Sequence, residues 1–451
     1  MTDGDTLAKI KKISTKDSSA VPGAVLQILD SNNEVYKEWT TTTEVYEVKN
    51  IPAGTYTLHE KTTPAGYLPA EDITFVVSDQ DGSVKVDGTI ANPILMSDTP
   101  IELKVNKYGA NNARLSGAEF TLYKEDGTTV VTTFTSTNKE WVYSPIVPGT
   151  YVLKETKTVD GYTYQPDVTI VIANDGTIKV NNATVTSVDI TNTQTVVKIK
   201  KTDLQNRLLA GATLQIVDSE NTVVVPNWTS TTEVKEIVGV LKVGTTYTLK
   251  EVTPPTDYAA ASDISFTIAN DGTVEVGNEE VDFVQMIDSK LYDLTVSKKV
   301  EGNLGSRDQE FNFKVHFEAN GRAALPTSVS GVKTLADSTT STKTYTLNST
   351  GDVAFTLTHG DKIVFKDLVE ELKYTVTELN GETLGYKVTK VSDTGVMTGD
   401  KEAKFTNSKW VSVPTSADTA GRLYSVFALL SALLLFCLVV LTLKKRKYSK
   451  D

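Results

Sequence analysis

Cysteine and histidine are scarce in this 451-residue chain. The single cysteine, Cys437, lies in an apolar C-terminal run, which excludes a disulfide bond within the chain. His59, His316 and His359 have no partner at metal-ligand spacing, so we expect no metal site and no other cofactor. The sequence also lacks a Ser-His-Asp order, a glycine-rich phosphate loop and a cysteine nucleophile outside the apolar run. We therefore expect no enzyme acting on external substrates.

Basic residues are outnumbered by acidic ones. The chain has 45 Lys and Arg against 57 Asp and Glu, a net charge of −12, which argues against nucleic-acid binding. Hydrophobic residues make up 39% and charged residues 23%, which is ordinary for folded modules rather than for disorder. At about 100 to 150 residues per domain, the length predicts three to four domains.

Runs that favour helices are also few. Thr and Val are abundant, and turn signals recur at short intervals, as in Asp81-Gly82, Asp126-Gly127, Asp175-Gly176 and Asp271-Gly272. Alternating apolar and polar residues between such turns are typical of strands with one buried face. The pattern predicts an all-β chain of Ig-like sandwiches with about seven short strands each.

One long apolar run interrupts this pattern near the C-terminus. Residues 423–443 carry no charge, and 21 residues in a helix reach about 31 Å, enough to cross a bilayer. The basic residues 444–447 follow and are expected to remain cytoplasmic, which places the acidic part outside. No secretory signal precedes residues 3–6, so we expect the chain to be mature or truncated at its start.

The chain repeats itself about every 95 residues. KIKKISTKD begins at Lys9, KVNKYGANN at Lys104 and KIKKTDLQN at Lys198, and each unit later carries a Tyr-x-Leu-x-Glu strand. A longer, divergent fourth unit has the same order of landmarks. The predicted domains are 1–99, 100–193, 194–289 and 290–410, which we call repeats 1 to 4, followed by a sorting-signal-like segment, 411–451.

Three polar residues keep their spacing in repeats 1 to 3. Lysine precedes glutamate by 51, 51 and 53 residues, and glutamate precedes the final Asp or Asn by 38, 37 and 37. If the first and last strands lie side by side, lysine and Asp or Asn can meet in the core, where burial favours the neutral amine. The amine could then attack the side-chain carbonyl with glutamate shuttling protons. A buried salt bridge or hydrogen-bonded trio is the alternative from spacing alone.

At this point the motifs resemble a known family. LAGATLQIVD and YTLHEKTTPAGY are similar to Cna B-type (SpaA-like) domains of Gram-positive surface proteins and pilins. LTVSKKVEGNLG, YTVTE and FTN in repeat 4 resemble the C-terminal domain of T-antigen (FctA-type) major pilins. The resemblance implies a spontaneous isopeptide bond in each repeat. The implied pairs are Lys9–Asp98, Lys104–Asn192, Lys198–Asp288 and Lys298–Asn407, with Glu60, Glu155, Glu251 and Glu378 as the assisting acids; Lys11 and Lys299 are rival lysines.

The C-terminal segment resembles a cell-wall sorting signal. Sortase substrates of this type carry LPxTG or a variant, and the best candidate here is SVPTS, with Thr415 as the acyl residue and Ser416 in place of the usual glycine. Without cleavage, the apolar helix would keep the chain in the membrane. The implied partners are a sortase and either peptidoglycan or other pilin subunits.

The function expected from these features is a structural stalk or pilin-like subunit at the surface of a Gram-positive cell. The alternative is an adhesin that binds a host matrix protein or glycan. The longest candidate for a binding insertion is the Ser- and Thr-rich region 320–350, which would otherwise be an ordinary loop or strand pair.

Overall fold

The computed structural model describes residues 6–411 and 416–447, except the side chains of residues 416–422 and 444–447. The chain divides into two compact parts. The first part holds repeats 1 and 2 and repeat 3 up to Met286. The second part runs from Ile287 onward and also includes the short segments Asp203–Arg207 and Pro254–Ala261. Almost every element among residues 6–411 is a strand, which confirms the all-β prediction.

Repeat 1 is a sandwich of two sheets with strand orders β4-β1-β10-β6 and β3-β2-β5-β7-β8-β9. Its strands are β1 (Leu7–Ser14), β2 (Val25–Leu29), β3 (Val35–Thr40), β4 (Tyr46–Lys49), β5 (Gly54–Thr62), β6 (Tyr67–Leu68), β7 (Ile73–Val77), β8 (Val84–Val86), β9 (Thr89–Ile90) and β10 (Ile94–Pro100). Side chains of both sheets that alternate inward form the core, including Ile10, Leu26, Leu58 and Phe75. The sequence predicted about seven strands because two-residue strands such as β6 leave no periodic signal.

Repeat 2 has the same plan, with sheets β14-β11-β19 and β13-β12-β15-β16-β17-β18. Its strands are β11 (Leu103–Tyr108), β12 (Glu119–Lys124), β13 (Val130–Thr135), β14 (Trp141–Tyr143), β15 (Gly149–Lys157), β16 (Val168–Ile172), β17 (Ile178–Val180), β18 (Ala183–Val185) and β19 (Val188–Thr191). A short 3₁₀ turn, Ala110–Asn112, follows β11.

Repeat 3 repeats this arrangement in strands β20 (Val196–Asp203), β21 (Thr213–Val217), β22 (Val223–Thr229), β23 (Lys235–Val238), β24 (Thr246–Thr253), β25 (Tyr258–Ala259), β26 (Ile264–Ile268), β27 (Val274–Val276), β28 (Glu279–Glu280) and the start of β29 (Val284–Glu301). One sheet has the order β22-β21-β24-β26-β27-β28, and β23 pairs antiparallel with β20.

Repeat 4 begins within β29 and has the largest aromatic core. It adds β30 (Phe311–Glu318), β31 (Ser328–Thr334), β32 (Thr340–Thr346), β33 (Asp352–Leu357), β34 (Lys362–Val369), β35 (Lys373–Glu378), β36 (Lys387–Val388), β37 (Ser392–Val396) and β38 (Lys401–Ser408). The region 320–350 contains the antiparallel pair β31 and β32, so nearly half of this candidate insertion is ordinary sheet. Helix α1 (Ser416–Lys447) follows, and its stretch Leu423–Leu443 is long and apolar enough to cross a membrane.

The first and last strands of a repeat lie side by side, as the sequence predicted, and they run parallel. β1 pairs with β10, β11 with β19, and β29 with β38. In a parallel pair, residues on the same face of neighbouring strands project to the same side of the sheet. A side chain from the beginning of a repeat can therefore meet one from its end inside the sandwich.

The linker between repeats 1 and 2 is held on both sides by the backbone. The Ile101 N–H donates to the Gly66 carbonyl at 2.8 Å, and the Ile101 carbonyl accepts from the Ile146 N–H at 3.0 Å. Ile101 is buried. An ion pair of 2.7 Å between Lys16 and Glu102 adds a contact at the surface. The two repeats are thus joined by fixed hydrogen bonds rather than by a free tether.

Thr195 holds the next linker in the same way. Its N–H donates to the Gly161 carbonyl and its carbonyl accepts from the Gly239 N–H, both at 2.9 Å. Lys242 and Asp160 form an ion pair of 2.8 Å beside this junction. Gly161 has a φ of +81°, and a Cβ added there would lie 2.3 Å from the Gly239 carbonyl oxygen. This close approach requires glycine at position 161.

We expect Gly161→Ala to open the junction between repeats 2 and 3. The matched control is Gly88→Ala, where φ is +74° but no atom lies within 4 Å of the added Cβ. Both variants carry a backbone cost of about 1 to 2 kcal/mol, but only the first has the clash. Hydrogen exchange followed by mass spectrometry should show faster exchange at Thr195 and Gly239 in Gly161→Ala alone. Equal exchange in the two variants would show that the clamp does not depend on the close approach.

Candidate functional site

A buried lysine occupies the first strand of repeat 1, but it is Lys12 rather than Lys9. Along β1, Ala8, Ile10 and Lys12 face the core, while Lys9 and Lys11 lie on the other face. The Lys9 side chain is 38% exposed and pairs with Glu47 at 3.2 Å. The prediction that Lys9 meets Asp98 is therefore wrong, because a side chain of the opposite parity points away from the core.

The same three-residue correction applies to repeats 2 and 3. Lys104 is 40% exposed near Glu102, at 3.9 Å, and Lys198 is 44% exposed near Glu236, at 3.8 Å. The buried lysines are Lys107 and Lys201, which continue the apolar faces of β11 and β20. The signal was present in the sequence, since Leu103, Val105 and Lys107 have one parity, as do Val197, Ile199 and Lys201.

In repeat 4 the structure places the predicted lysine in the core. Lys298 lies between the inward-facing Val296 and Val300. The rival lysine, Lys299, is exposed and pairs with Glu301 at 2.8 Å. The alternation of buried and exposed side chains along β29 therefore distinguishes Lys298 from Lys299.

Lys12, Glu60 and Asp98 form a buried trio in repeat 1. The Lys12 Nζ lies 3.0 Å from Glu60 Oε1 and is also in contact with Asp98 Oδ1. All three side chains are almost completely excluded from solvent. The Ala70 N–H donates to Glu60 Oε2 at 2.8 Å, which fixes the orientation of the carboxylate.

Repeat 2 has the same trio with an amide in place of the acid. Lys107 Nζ lies 3.5 Å from Glu155 Oε1, and Asn192 Nδ2 donates to that same oxygen at 2.7 Å. Asn192 Nδ2 also donates to Thr158 at 2.9 Å, and the Gln165 N–H donates to Glu155 Oε2 at 3.2 Å. Glu155 therefore accepts a hydrogen bond from the amide nitrogen of Asn192, which is the group that would leave.

Repeat 4 brings Lys298, Glu378 and Asn407 together. Lys298 Nζ donates to both Glu378 oxygens at 3.0 and 2.9 Å, and Asn407 Nδ2 donates to Glu378 Oε1. The Lys298 amine lies 4.1 Å from the centre of the Phe311 ring, so an aromatic wall lines the site. One glutamate carboxylate therefore bridges the amine and the amide.

In repeat 3, Lys201 Nζ and Glu251 Oε1 are 2.8 Å apart, and both side chains are buried. Asp288 is fully buried on β29, at the place in the repeat that Asp98 has in repeat 1. Each predicted glutamate thus lies beside the inward lysine of its own repeat.

Burial shifts the pKa values of Lys107, Lys298 and Asp98 towards their neutral forms. Desolvation lowers the pKa of Lys107 to about 8, although Glu155 opposes the shift, and it also lowers the pKa of Lys298. Desolvation raises the pKa of Asp98 to about 6 against the attraction of Lys12. An accessible neutral amine next to a carboxyl or amide carbon is the arrangement needed for acyl transfer.

The structure gives no side-chain geometry for the two predicted sorting residues. Thr415 lies outside the described residues, and Ser416 begins helix α1 without a described side chain. Cleavage between them stays a prediction from the sequence.

Comparison with known families agrees with the repeats. The SpaA family, described as a prealbumin-like fold domain, matches residues 7–91, 101–185 and 195–280, which is more than half of the chain. This chain belongs to the SpaA family. Residues 292–409 match a domain family of unknown function, so the T-antigen resemblance of repeat 4 stays a prediction.

Curated relatives of this SpaA-family chain are similar over a third of its length. Serine-aspartate repeat-containing protein F of Staphylococcus epidermidis is 31% identical over 173 residues, 33% of this chain and 10% of that protein. The pilus tip adhesin Cpa of Streptococcus pyogenes is 28% identical over 168 residues, 33% of this chain and 22% of that protein. The chain thus spans from a tenth to about a fifth of the length of these relatives.

Solved structures with detectable similarity are more distant. The major pilin of Streptococcus pyogenes is 19% identical and matches 48% of this chain and 99% of the pilin, with a TM-score of 0.26. The Bacillus anthracis TIE protein is 15% identical over 91% of this chain and 76% of its own, with a TM-score of 0.30.

Burial of Lys107 predicts a pH-dependent stability for repeat 2 when its amide partner is removed. Burial gives the free Lys107 amine a pKa of about 8, against the ordinary 10.5, and Asn192→Ala leaves this amine free because it removes the group that would react with it. Between these values the unfolded chain binds more protons, so the free energy of unfolding should rise with pH, by roughly 3 kcal/mol at most. Urea unfolding of the full chain from about pH 7.5 to about pH 10.5 measures this.

The control is the double variant Asn192→Ala/Lys107→Met, which has no ammonium to deprotonate in the core. Its unfolding should lack the additional rise with pH. An identical rise in both variants would assign the effect to other groups.

Proposed function

We propose that this chain is a force-bearing stalk subunit, pilin-like, at the surface of a Gram-positive cell, and that an isopeptide bond closes each repeat. The observation that carries the proposal is the buried lysine of the first strand facing an Asp or Asn of the last strand across one glutamate. The proposed bonds join Lys12 to Asp98, Lys107 to Asn192, Lys201 to Asp288 and Lys298 to Asn407. In repeat 3 the partner is assigned by its position in the repeat.

The reaction in repeat 2 needs only the three side chains. The neutral Lys107 amine attacks Cγ of Asn192, and Glu155 accepts the proton that the amine loses. The carbon–nitrogen bond to Asn192 Nδ2 then breaks, Glu155 returns the proton to the departing nitrogen, and ammonia leaves. The hydrogen bond from Nδ2 to Glu155 already lies along this last transfer.

An aspartate reacts with loss of water, which requires a protonated carboxyl because a carboxylate is a poor electrophile. The raised pKa of Asp98, about 6, makes the neutral acid accessible in repeat 1. Glu60 plays the role of Glu155, since the backbone of Ala70 orients it towards Lys12. The surrounding apolar residues keep water from solvating the reacting charges.

These bonds would define a short covalent path along the chain. Lys107 follows Asp98 by nine positions, Lys201 follows Asn192 by nine, and Lys298 follows Asp288 by ten. Tension entering at one end would cross each repeat through its isopeptide bond and pass only these short segments to the next. The sandwiches between the bonded residues would then carry no load.

Helix α1 would anchor the stalk. Its apolar stretch Leu423–Leu443 would lie in the membrane, either permanently or until a sortase cleaves beside Thr415 and joins the chain to peptidoglycan or to other pilin subunits. The similarity to a pilus tip adhesin supports the surface location.

We expect the intact chain to weigh less than its sequence by two waters and two ammonias. After allowance for the substitution itself, Lys107→Ala should return one ammonia because repeat 2 loses its nucleophile, and Glu155→Ala should do the same. Denaturing mass spectrometry measures this on the full chain. Lys104→Ala, three positions away on the outer face, is the matched control and should keep the whole deficit. A chain at its unmodified mass would refute the proposal.

Single-molecule stretching tests the mechanical role separately. The chain should extend without the long unfolding step of a whole repeat, since only the short segments between the bonds lie under load. Lys107→Ala should release the residues between positions 107 and 192, a gain of roughly 300 Å in contour length. Lys104→Ala should show no new step. Unfolding steps in the unsubstituted chain would contradict a force-bearing role.

A further inference from the structure

The loop that joins the two sheets near the buried lysine is built alike in repeats 1 to 3. Thr41, Ser136 and Ser230 each accept a hydrogen bond from a backbone N–H and donate to a backbone carbonyl. These bonds are all 2.8 to 3.0 Å long. Because the backbone of this loop is held in the same way in all three repeats, the repeats differ here only in the other side chains of the loop.

Two repeats present a stacked pair of aromatic rings here, seven residues apart. In repeat 1, Tyr46 stacks on Trp39 with ring centres 4.2 Å apart and an angle of 6°. In repeat 2, Trp141 stacks on Phe134 at 3.8 Å and 10°. The second ring of each pair starts the strand that borders the lysine strand, since Tyr46 lies opposite Ile10 and Trp141 opposite Val105.

Repeat 3 has the first ring but lacks the second. Trp228 corresponds to Trp39, and seven residues later Lys235 lies opposite Ile199 in the register of Tyr46. No aromatic ring among residues 6–411 stacks on Trp228 in this structure. Trp39 is buried, 9% exposed, whereas Trp228 is only half-buried. One face of the Trp228 indole is therefore left without the partner that its counterparts have.

A cavity lies at this face. It measures about 270 Å³, against about 180 Å³ for the counterpart in repeat 1, where Tyr46 is in place. Ile199 and Leu214 form part of its wall, the buried Lys201 also lines it, and Glu233 and Lys235 add a carboxylate and an ammonium. Such a mixture of an open indole, apolar walls and a few polar groups suits a flat ring with a polar edge.

The cavity is also reachable by a polypeptide. Strands β22 and β23, which flank it, each lie at the end of their sheet order, so their outer backbone edges are unpaired. An extended segment can add to such an edge and direct one side chain into the pocket beside it.

We propose that the Trp228 cavity of repeat 3 binds an aromatic side chain, tyrosine or tryptophan, presented by a partner polypeptide. The chain itself supplies the argument for this occupant, since tyrosine in repeat 1 and tryptophan in repeat 2 fill the equivalent position. The Lys235 ammonium and Glu233 carboxylate would hold the polar edge of the ring or the adjacent peptide groups. This proposal does not rest on the proposed function, although Lys201 lines the cavity and also belongs to the proposed isopeptide site of repeat 3.

The test uses the full chain in detergent with its four tryptophans labelled as 5-fluorotryptophan. N-acetyl-L-tyrosinamide is the probe. Its addition should shift the fluorine resonance of Trp228 saturably at millimolar concentrations and leave Trp39, Trp141 and Trp410 unchanged, because a single ring contributes only a weak affinity. Replacement of each tryptophan by phenylalanine assigns the resonances.

Exchanging residues between repeats provides matched variants. Lys235→Tyr should fill the cavity with the ring that repeat 1 has, move the Trp228 resonance without a ligand, and weaken probe binding at least about tenfold. Tyr46→Lys should open the equivalent site and make Trp39 respond to the probe. A Trp228 response that Lys235→Tyr does not diminish would overturn the proposal.

A sugar is the competing occupant, because indole faces also stack on pyranose rings. Methyl glucoside is therefore titrated in parallel. A saturable shift of Trp228 with methyl glucoside and none with N-acetyl-L-tyrosinamide would overturn the aromatic assignment in favour of a glycan. Silence with both probes would overturn the site altogether.

Discussion

The whole architecture depends on an amine enclosed in an apolar core against a carboxyl or amide carbon. Isolated buried charges cost several kcal/mol, and an ion pair recovers this only when its remaining hydrogen-bonding groups are satisfied. Here they are not, since Asp98 Oδ2, Asn192 Oδ1 and Asn407 Oδ1 lack hydrogen-bond partners among the described residues. Formation of an amide would remove the charges of lysine and aspartate and leave one polar bond to accommodate. The proposed chemistry thus follows from a core that is poorly satisfied without it.

Parallel pairing of the first and last strands makes this arrangement possible. In an antiparallel meander the first and last strands are often separated by the other strands of the sheet. Here β1 and β10 are direct neighbours, and Lys12 and Asp98 lie two register positions apart. A bond at that place closes a loop of 86 residues, which on the chain-entropy model stabilises the fold by about 4 to 5 kcal/mol. The chain has no disulfide to do this, and the backbone clamps at Ile101 and Thr195 extend the fixed geometry across two junctions.

Sequence reasoning recovered the fold class and the repeat because each has a periodic signature, and it recovered the membrane-length helix because 21 consecutive residues carry no charge. It also found the glutamates that lie beside the four buried lysines and, in repeats 1, 2 and 4, the Asp or Asn that completes the trio. It failed on the lysine in three repeats, since the first lysine of KIKK or KVNK was chosen without asking which face Ile10, Val105 and Ile199 occupy. Lysine alone gives no facing information, because its long side chain is common on exposed strand faces. Only the strand parity distinguishes Lys9 from Lys12.

Two other features of the structure could not be predicted from the spacing of residues in the sequence. The first is the stacking of two aromatic rings seven residues apart. It can be recognised only when the loop conformation is known, because nothing in the sequence indicates that Trp39 and Tyr46 meet. The same holds for the linkers, where Gly161 matters through its distance to Gly239 rather than through a turn motif. If the proposed bond closes the sandwich between its first and last strands, the stability of a repeat would depend less on such peripheral contacts. Repeat 3, which has Lys235 in place of the second ring, would then keep its fold, and the opening beside Trp228 would be free for the proposed recognition.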